Sequence, residues 1–449
     1  MLDAILVFKR LINTVLLSLF VSGCASYGVI ENKPITRITP GNDSLYSVNA
    51  FNHRISGKDT AIVLAFSGGG TRAAALSYGV LAQLNETFVD PLNPTKSLLD
   101  DVAIISSVSG GSFTAAYYGL HGDKIFDEFE SRFLKKDVER ALIKNVLNPF
   151  SWFSRKSRTE FAVNYYDKEV FDGATFKDML RPDRPMVLIN ATDLSKGVRF
   201  SFMQEYFNLL CSDLTDFSVS RAVTASSAVP LLFSPVVVKN HEGCLGDIPL
   251  WLSRARERAK SDPELSLSVK GLESFFDKES YQYAHFVDGG ITDNLGLRSI
   301  FDITKLLGGA KPTNKIFNID APKKLIVISV DASASPDYDI ANSPNPPGFL
   351  ETVNAMTDIQ LHRYNTATLS DVKKATQVWA RELSDENQIV EAEFIRLSFD
   401  DVNDKKTKKR LNRIPTSFSL SHENVDLLIE TGRNLLRNNP EFIDALKAM

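Results

Sequence analysis

The chain has 449 residues, of which 43% are hydrophobic and 24% are charged, a composition typical of a globular protein with ample material for a core. Its 51 basic and 55 acidic side chains give a net charge of −4, so charge offers no general reason to bind nucleic acid. The length allows two or three domains, or one α/β domain with insertions. Evidence for a binding partner or for a catalysed reaction must therefore come from sequence motifs.

The N-terminus has the order of charge, apolar run and small residues that is typical of a signal peptide. Lys9 and Arg10 precede the run LINTVLLSLFVS, which is too short to span a bilayer comfortably. The run closes on the sequence VSGC at 21–24, which resembles the lipobox of bacterial lipoproteins. The resemblance implies a signal peptide over residues 1–23 and lipidation of Cys24. A buried N-terminal helix with an incidental cysteine is the alternative.

Ala25 follows Cys24 where an aspartate would retain a lipoprotein in the inner membrane. By resemblance to lipoprotein sorting, this favours the outer membrane of a Gram-negative cell envelope. Residues 24–58 are polar, with scattered Pro and Gly, and are predicted to form a tether between lipid and domain. The mature chain would keep only Cys211 and Cys244 besides the lipidated cysteine. In an oxidising compartment these two form a disulfide; two free buried thiols are the other possibility.

The core is predicted to begin near residue 60, with a series of short apolar runs typical of buried parallel strands. Segments with helical spacing of apolar and small residues separate these runs. Strands separated by helices predict a three-layer α/β fold, with a mostly parallel central sheet and helices on both faces. The predicted strands are 61–66, 102–107, 185–193, 285–290 and 324–333, and the predicted helices between them are 71–84, 110–119 and 220–230.

Two regions depart from this alternation. Residues 120–180 are helical in character and rich in aromatic and basic side chains, especially at 150–166. This segment is predicted to be an insertion, either packed in the ordinary way or lying against lipid headgroups. Residues 341–449 are predicted to form a C-terminal helical extension packed on the domain. Within it, the basic run 404–410 is predicted to be a solvated loop.

Three predicted strands run into residues that carry chemistry. The first is followed by SGGGTR at 67–72, the second by SVSGG at 107–111, and a later one by DGG at 288–290. Ligands bind outside the carboxyl ends of the strands of an open parallel sheet, so these segments are expected to meet at one edge. The triple glycine alone could cradle a phosphate at a helix N-terminus. However, it lacks both the dinucleotide fingerprint and the Gly-Lys-Ser/Thr of a P-loop.

Together, these motifs resemble those of the patatin-like phospholipase family. GGGTR at 68–72, the serine turn at Ser109 and DGG at 288–290 stand in the family's order, and two further similar segments lie between the last two. The resemblance implies a patatin-like catalytic domain over residues 59–340. It also implies a serine hydrolase that acts on the ester bonds of lipids.

The resemblance further implies a Ser–Asp dyad. Ser109 would attack an ester carbonyl, and Asp288 would accept the serine proton in place of a histidine. A hydroxyl is a poor nucleophile unless such a base lies within hydrogen-bond reach. An ordinary carboxylate is a weak base, so partial desolvation that raises the pKa of Asp288 would help the reaction.

The triple glycine is expected to form the oxyanion hole, because glycine lets the backbone approach a tetrahedral intermediate closely. The donors would be the N–H groups of Gly68, Gly69 and Gly70. Gly110, directly after the nucleophile, would add a further donor, and Arg72 would fix the glycine loop. The sequence contains no cofactor motif and no cluster with metal-ligand spacing, so neither a cofactor nor a metal is expected.

Three alternatives remain at this point. Ser107 stands where the family has the first glycine of Gly-x-Ser-x-Gly, and it is a rival nucleophile. A Ser-His-Asp triad in α/β-hydrolase order would place its histidine last, at His362 or His422. The same fold could instead serve a catalytically silent lipoprotein that binds lipid or a partner, or a phosphate or nucleotide binder that uses the glycine loop.

The sequence as a whole predicts a lipid-anchored serine hydrolase whose partner is a membrane lipid and not nucleic acid. The acyl esters of phospholipids are the expected substrates. The oligomeric state is not predicted.

Overall fold

The computed structural model describes residues 28–38, 44–88, 96–140, 157–230, 232–244, 248–335, 340 and 344–447. The signal peptide, Cys24 and the aromatic and basic residues 150–156 lie outside these described residues. The strands are β1 (Lys33–Pro34), β2 (Thr60–Phe66), β3 (Val102–Val108), β4 (Met186–Asp193), β5 (Val198–Ser201), β6 (Ser212–Asp213), β7 (Val236–Lys239), β8 (Tyr283–Val287), β9 (Lys324–Asp331) and β10 (Glu391–Ser398).

A central sheet of eight strands organises the described part of the chain. Its order is β10-β9-β2-β3-β4-β8-β7, with β5 paired to β4. The five strands from β10 to β4 are mutually parallel, as expected for apolar strands joined by helical crossovers. The prediction of a mostly parallel sheet is therefore confirmed. A separate two-stranded antiparallel sheet joins β1 to β6.

Helices connect and flank these strands. Those described are α1 (Val48–Phe51), α2 (Gly70–Glu86), α3 (Gly110–His121), α4 (Ile125–Phe129), α5 (Arg158–Glu169), α6 (Gln204–Leu209), α7 (Val219–Ser226), α8 (Leu250–Ala259), α9 (Pro263–Glu273), α10 (Gly290–Asp293), α11 (Arg298–Leu307), α12 (Ala310–Phe317), α13 (Phe349–Leu383), α14 (Lys405–Leu411), α15 (His422–Arg437) and α16 (Pro440–Lys447).

Both faces of the sheet are covered, because side chains alternate along each strand. In β2, Ile62, Leu64 and Phe66 belong to the main core, together with residues of α2, α3 and α15. Val63 and Ala65, which point the other way, belong to a second core with residues of α11 and α13. The three-layer α/β architecture predicted from the sequence is therefore confirmed.

Strand β8 is antiparallel to β4, although its segment was expected to be a parallel strand. Its last residue, Val287, pairs with Thr192 of β4, and Gly289, which follows Asp288, packs on Asn190: a Cβ on Gly289 would lie 2.3 Å from the Asn190 carbonyl oxygen. Asn190 in turn pairs with Val108, which directly precedes Ser109. Although β8 runs antiparallel to β4, its end therefore still brings Asp288 next to Ser109. The two motifs meet as expected, even though the strand before Asp288 is not parallel to its neighbour.

The C-terminal extension was expected to be helical, but it also contains a strand. Strand β10 pairs in parallel with β9 along its full length and so widens the catalytic sheet. The prediction of a loop at 404–410 was also wrong, because α14 occupies this stretch. The Asp404 side chain caps that helix by accepting a hydrogen bond from the Thr407 N–H at 2.8 Å, which favours helix formation despite the run of like charges.

The described residues between 28 and 58 are packed on the domain, so their interpretation as a free tether was wrong. Asn32 is buried, and its side-chain nitrogen donates to the Ser212 hydroxyl at 2.6 Å and to the Lys239 carbonyl at 2.7 Å. Tyr46 is also buried, and its hydroxyl bonds both the N–H and the carbonyl of Val187. These bonds hold the segment to the sheet.

Cys211 and Cys244 are joined by a disulfide, which resolves the alternative that the sequence left open. The bond closes a loop across the end of β6, the strand that pairs with β1. On the chain-entropy model, a loop of this length stabilises the fold by about 3–4 kcal/mol. Among the described residues, none of the helices has the length and apolarity needed to cross a membrane.

Candidate active site

Ser109 occupies the tight turn between β3 and α3. Its backbone has φ 49° and ψ −122°, a conformation that costs a non-glycine residue roughly 1–3 kcal/mol. The Ser109 N–H donates to the Ser226 hydroxyl at 2.8 Å, and the Ser109 carbonyl accepts from the Ser112 N–H at 3.0 Å. A serine held on a strained strand-to-helix corner is the geometry of a nucleophile elbow.

The side chains of Ser109 and Asp288 are in direct contact. The Ser109 Oγ donates to the Asp288 Oδ2 at 2.8 Å, and the Asp288 Oδ1 accepts from the Gly290 N–H at 2.7 Å. The backbone of Asp288 is fixed by donation of its N–H to the Ala228 carbonyl at 3.0 Å. One carboxylate oxygen is therefore occupied by the backbone, and the other faces the hydroxyl.

Burial changes the acidity of this carboxylate. Both Ser109 and Asp288 are less than one tenth exposed. Desolvation raises the pKa of Asp288 to about 6, against the smaller opposing effects of the bonds from Gly290 and Ser109. The carboxylate is thus a stronger base than an ordinary aspartate and is still ionised near neutral pH.

The glycine-rich turn after β2 packs directly on the turn of Ser109. A Cβ on Gly110 would lie 1.9 Å from the Gly70 carbonyl oxygen, so the two backbones can lie this close only because position 110 is a glycine. Gly69 and Gly70 also have φ of 135° and 61°, values that glycine alone adopts readily. Among the described residues, the N–H groups of Gly69, Gly70 and Gly110 have no hydrogen-bond acceptor.

Gly68 differs from the expectation. Its N–H donates to the Asn294 backbone carbonyl at 2.8 Å, so this group is already used and the assignment of Gly68 as an oxyanion donor was wrong for this geometry. Gly68 still lies beside the nucleophile, because a Cβ there would be 3.4 Å from the Ser109 Cβ and 2.7 Å from the Asn294 Oδ1. A glycine at position 68 therefore lets the backbone lie close to the side chains of Ser109 and Asn294.

Arg72 points away from the dyad and is buried. Its Nε donates to the Ala332 carbonyl at 2.9 Å, and its two terminal nitrogens donate to the Ile414 carbonyl at 2.5 Å and the Thr416 hydroxyl at 3.1 Å. Burial lowers the pKa of Arg72 to about 10, so the side chain remains charged at neutral pH. Arg72 thus ties the glycine loop to the C-terminal extension, in keeping with the expected supporting role.

The structure separates the rivals from the dyad. The Ser107 hydroxyl is buried and donates to the Leu188 carbonyl at 3.0 Å. The His362 Nε2 lies 3.0 Å from the Ala334 carbonyl, and the His422 Nε2 lies 3.2 Å from the Lys135 carbonyl. Each of these groups bonds a backbone carbonyl, whereas among the described residues the side chain that accepts from the Ser109 hydroxyl is Asp288.

Two polar residues around the dyad, Ser226 and Asn294, were not predicted from the sequence. Ser226 accepts from the Ser109 N–H and donates to the Asn190 carbonyl at 2.6 Å. Asn294 holds the glycine loop through its carbonyl and donates to the Ser333 hydroxyl at 3.1 Å. Ser226 lies in one of the two further segments that resemble the family, residues 225–236, but no spacing rule links it to Ser109 at a separation of 117 residues.

An aromatic contact connects two segments that flank this region. The rings of Phe233 and Phe418 meet edge to face, with centroids 5.4 Å apart. Phe233 follows the segment whose Ala228 carbonyl fixes Asp288, and Phe418 follows Ser417, whose carbonyl accepts from the N–H of Thr71 at 2.9 Å. The contact therefore joins the Asp288 side of the site to the glycine-loop side.

The described residues contain no group of three or more His, Cys, Asp or Glu side chains arranged to hold a metal ion.

Comparisons with known proteins agree with this geometry. A model of the patatin-like phospholipase family matches residues 64–301, which include the glycine loop, Ser109 and Asp288. No curated protein matches the sequence significantly. The solved structures of human GIVD cytosolic phospholipase A2 are similar at low identity.

One of these, in complex with methyl gamma-linolenyl fluorophosphonate, is 10% identical, with a TM-score of 0.40; the match covers 92% of this chain and 65% of that one. A second is 11% identical, with a TM-score of 0.37, and covers 94% and 66%. The chain thus spans slightly less than two thirds of the length of these enzymes.

The match to the family model covers more than half of the chain. The chain therefore belongs to the patatin-like phospholipase family.

Proposed function

We propose that the protein is a serine lipid acyl hydrolase that cleaves the carboxylic esters of phospholipids through a Ser109–Asp288 dyad. The observation that carries this proposal is the 2.8 Å hydrogen bond from the Ser109 Oγ to a buried carboxylate. The second oxygen of that carboxylate is already held by a backbone N–H. The free oxygen is thus positioned to take one proton from one hydroxyl.

In the first half of the reaction, the Ser109 Oγ attacks the ester carbonyl carbon while its proton passes to Asp288. The carbonyl oxygen becomes an oxyanion, for which the N–H groups of Gly69, Gly70 and Gly110 are the available donors. When the intermediate collapses, the carbon–oxygen bond to the alcohol breaks. The departing alkoxide takes the proton from Asp288 and leaves as the lysolipid alcohol, and the acyl group stays on Ser109.

In the second half, Asp288 removes a proton from water, and the resulting hydroxide attacks the acyl carbonyl in the same oxyanion site. Collapse breaks the bond to the Ser109 Oγ, which regains its proton from Asp288. The fatty acid is released and the dyad returns to its starting state, so a single carboxylate serves both half-reactions.

The same proposal places the protein in the cell envelope. Cys24 carries the lipid of a Gram-negative lipoprotein, and the mature chain is held at the outer membrane. The order of charge, apolar run and small residues before Cys24 supports this location. The disulfide between Cys211 and Cys244 also supports it, because such bonds persist in oxidising compartments.

Covalent labelling by a fluorophosphonate probe tests the nucleophile. Wild type and Ser107→Ala should be labelled, and Ser109→Ala should not, because the Ser109 hydroxyl donates to a carboxylate whereas the Ser107 hydroxyl donates to a backbone carbonyl. Hydrolysis of phosphatidylethanolamine vesicles, followed by release of fatty acid, should be lost in the same variant. A folded wild-type protein that neither takes the label nor releases fatty acid would point instead to the silent lipid-binding alternative.

A further inference from the structure

The glycine loop after β2 is held by hydrogen bonds at both of its ends. The Gly68 N–H donates to the Asn294 carbonyl at 2.8 Å, and the Thr71 N–H donates to the Ser417 carbonyl at 2.9 Å. The N–H groups of residues 69–70 lie between these two bonds and have no acceptor among the described residues. Glycine is the residue with the greatest backbone freedom. The direction of these two N–H groups therefore depends on how the ends of the loop are held.

One end of the loop is held by the C-terminal strap, residues 412–418, which joins α14 to α15. The strap packs directly on the loop, because a Cβ on Gly70 would lie 2.4 Å from the Ser417 carbonyl oxygen. Gly70 also contacts the turn of the nucleophile, where its carbonyl oxygen lies against Gly110. The same glycine thus touches both the strap and the turn of Ser109.

Arg72 adds side-chain bonds between the loop and the strap. Its terminal nitrogens donate to the Ile414 carbonyl at 2.5 Å and to the Thr416 hydroxyl at 3.1 Å. The Arg72 side chain is buried, and the planar guanidinium holds its acceptors in a fixed geometry. Thr416, by contrast, is exposed, so its hydroxyl can be removed without a change in the core.

The strap has further contacts that do not involve the loop. The Asn412 Oδ1 accepts from the Ser335 N–H at 2.7 Å, and the Phe418 ring meets that of Phe233 edge to face. These contacts fix the strap, so it can hold the loop in one conformation. The strap lies outside residues 64–301, which match the family model, and it is therefore a feature that the match does not assign.

We propose that the C-terminal strap is a positioning element of the active site, which aims the N–H groups of Gly69 and Gly70 at the developing oxyanion. Thr416 and Ser417 are then positioning residues, and Arg72 connects them to the loop. Donors that are held in place before the reaction stabilise the transition state, because nothing has to reorganise when the charge forms. A loop released from the strap would still bind the ester but would stabilise the oxyanion less. This inference rests on the proposed hydrolase function.

The first test changes the strap and leaves the loop itself intact. Thr416→Val removes the hydroxyl that accepts from Arg72, whereas Thr416→Ser keeps it. On a soluble short-chain ester, kcat of Thr416→Val should fall by about three- to tenfold while KM stays within about twofold. Thr416→Ser should keep kcat within about twofold. Rates are divided by the number of active sites that the fluorophosphonate probe titrates, so that unfolded protein does not contribute.

The matched control is Thr313→Val, which makes the same chemical change in α12. The Thr313 hydroxyl donates to the Gly309 carbonyl at 2.7 Å, at the start of its own helix, and kcat should not change. An equal fall of kcat in Thr313→Val and Thr416→Val, or in Thr416→Ser and Thr416→Val, would overturn the role of the Thr416 hydroxyl.

The second test removes all the bonds from the Arg72 guanidinium. In Arg72→Gln, kcat/KM should fall by about 10²-fold, as expected for displaced oxyanion donors. A trifluoromethyl ketone forms a tetrahedral adduct when the Ser109 hydroxyl adds to its carbonyl and the proton passes to Asp288. Its affinity should fall by the same factor as kcat/KM. The acid midpoint of the pH profile, set by the pKa of Asp288, should stay near 6.

An Arg72→Gln protein with the wild-type kcat per active site, or with unchanged affinity for the ketone, would overturn the proposal. If this variant does not fold, the pair Thr416→Val and Thr416→Ser decides. Failure of the proposed function looks different, because the wild type itself would then neither take the fluorophosphonate label nor hydrolyse the soluble ester.

Discussion

Two buried aspartates, five residues apart, have similar acidity and different surroundings. Burial raises the pKa of Asp288 to about 6 and that of Asp293 to about 7. The Asp288 carboxylate contacts one hydroxyl and one backbone N–H, whereas Asp293 lies among charges, with Arg199, Arg298 and Asp302 near it. A raised pKa therefore does not by itself identify a base.

The difference lies in what each carboxylate can reach. The Asp293 Oδ2 accepts from the Arg298 N–H at 2.8 Å and so caps the start of α11. Its other oxygen is buried and has no partner among the described residues. Asp288 alone touches a nucleophile. The comparison teaches that geometry assigns the base, and that desolvation then tunes it.

We expect the largest effect on catalysis from the substitution of Asp288, and a much smaller effect from the same substitution at Asp293. Asp288→Asn keeps the size of the side chain and its ability to hydrogen-bond Gly290 and Ser109, but it removes the carboxylate that accepts the serine proton. We expect kcat to fall by about 10³-fold or more, since positioned general bases contribute about 10²–10⁴-fold. Initial rates on a soluble ester measure this, with circular dichroism to show that the fold is retained.

The matched control is Asp293→Asn, which keeps a carbonyl oxygen for the Arg298 N–H. Its kcat should stay within about tenfold of wild type, because Asp293 touches no reacting atom. A loss in this variant as large as that in Asp288→Asn would break the comparison.

The pH profile should show the same separation. An ionised Asp288 is needed to accept the serine proton, so kcat/KM should fall about tenfold per pH unit below the pKa of about 6. Asp293→Asn should leave this midpoint unchanged. A midpoint that moves by a full unit in Asp293→Asn would mean that the acid limb belongs to the charged cluster.

The two motifs that carry the dyad were predictable, because both are local. Ser109 and Asp288 each stand in a short glycine-flanked turn after an apolar strand, and such turns are visible in a single stretch of sequence. The three-layer arrangement was predictable for the same reason, since the alternation of strands and helices is a local pattern.

Features that depend on distant partners were not predictable. The N–H of Gly68 is used by Asn294, which lies 226 residues further along the chain. Likewise, Asn32 is bound by Ser212 and Lys239, so a polar stretch that resembles a tether is held to the sheet. Strand β10 was missed because it begins with alternating charged and apolar residues, a pattern that suggests an exposed segment. Its pairing with the distant strand β9 is what places it in the sheet.

Stability should reveal the energetic cost of a buried base. The folded-state pKa of Asp288 lies above the usual 3.8, so the folded protein holds this proton more tightly than the unfolded chain does. Ionisation therefore costs stability as the pH rises through about 6. At pH 8, Asp288→Asn should raise the free energy of unfolding by about 1–3 kcal/mol, as measured by urea denaturation.

The difference should shrink toward zero below about pH 3, where the carboxyl group is protonated in both the folded and the unfolded state. If Asp288→Asn were instead less stable than wild type at pH 8, contacts other than those to Ser109 and Gly290 would have to stabilise the ionised carboxylate of Asp288.

The smallest effect should come from the histidines. His362 and His422 each bond a backbone carbonyl, so removal of either costs about 1 kcal/mol of stability and no base. His362→Ala and His422→Ala should therefore keep kcat within about twofold on the soluble ester. The result sharpens the comparison of the two aspartates, because it removes these two histidines as candidates for the base. If either variant alone abolished activity, a histidine would be the base, and the contact between Ser109 and Asp288 would be a structural hydrogen bond.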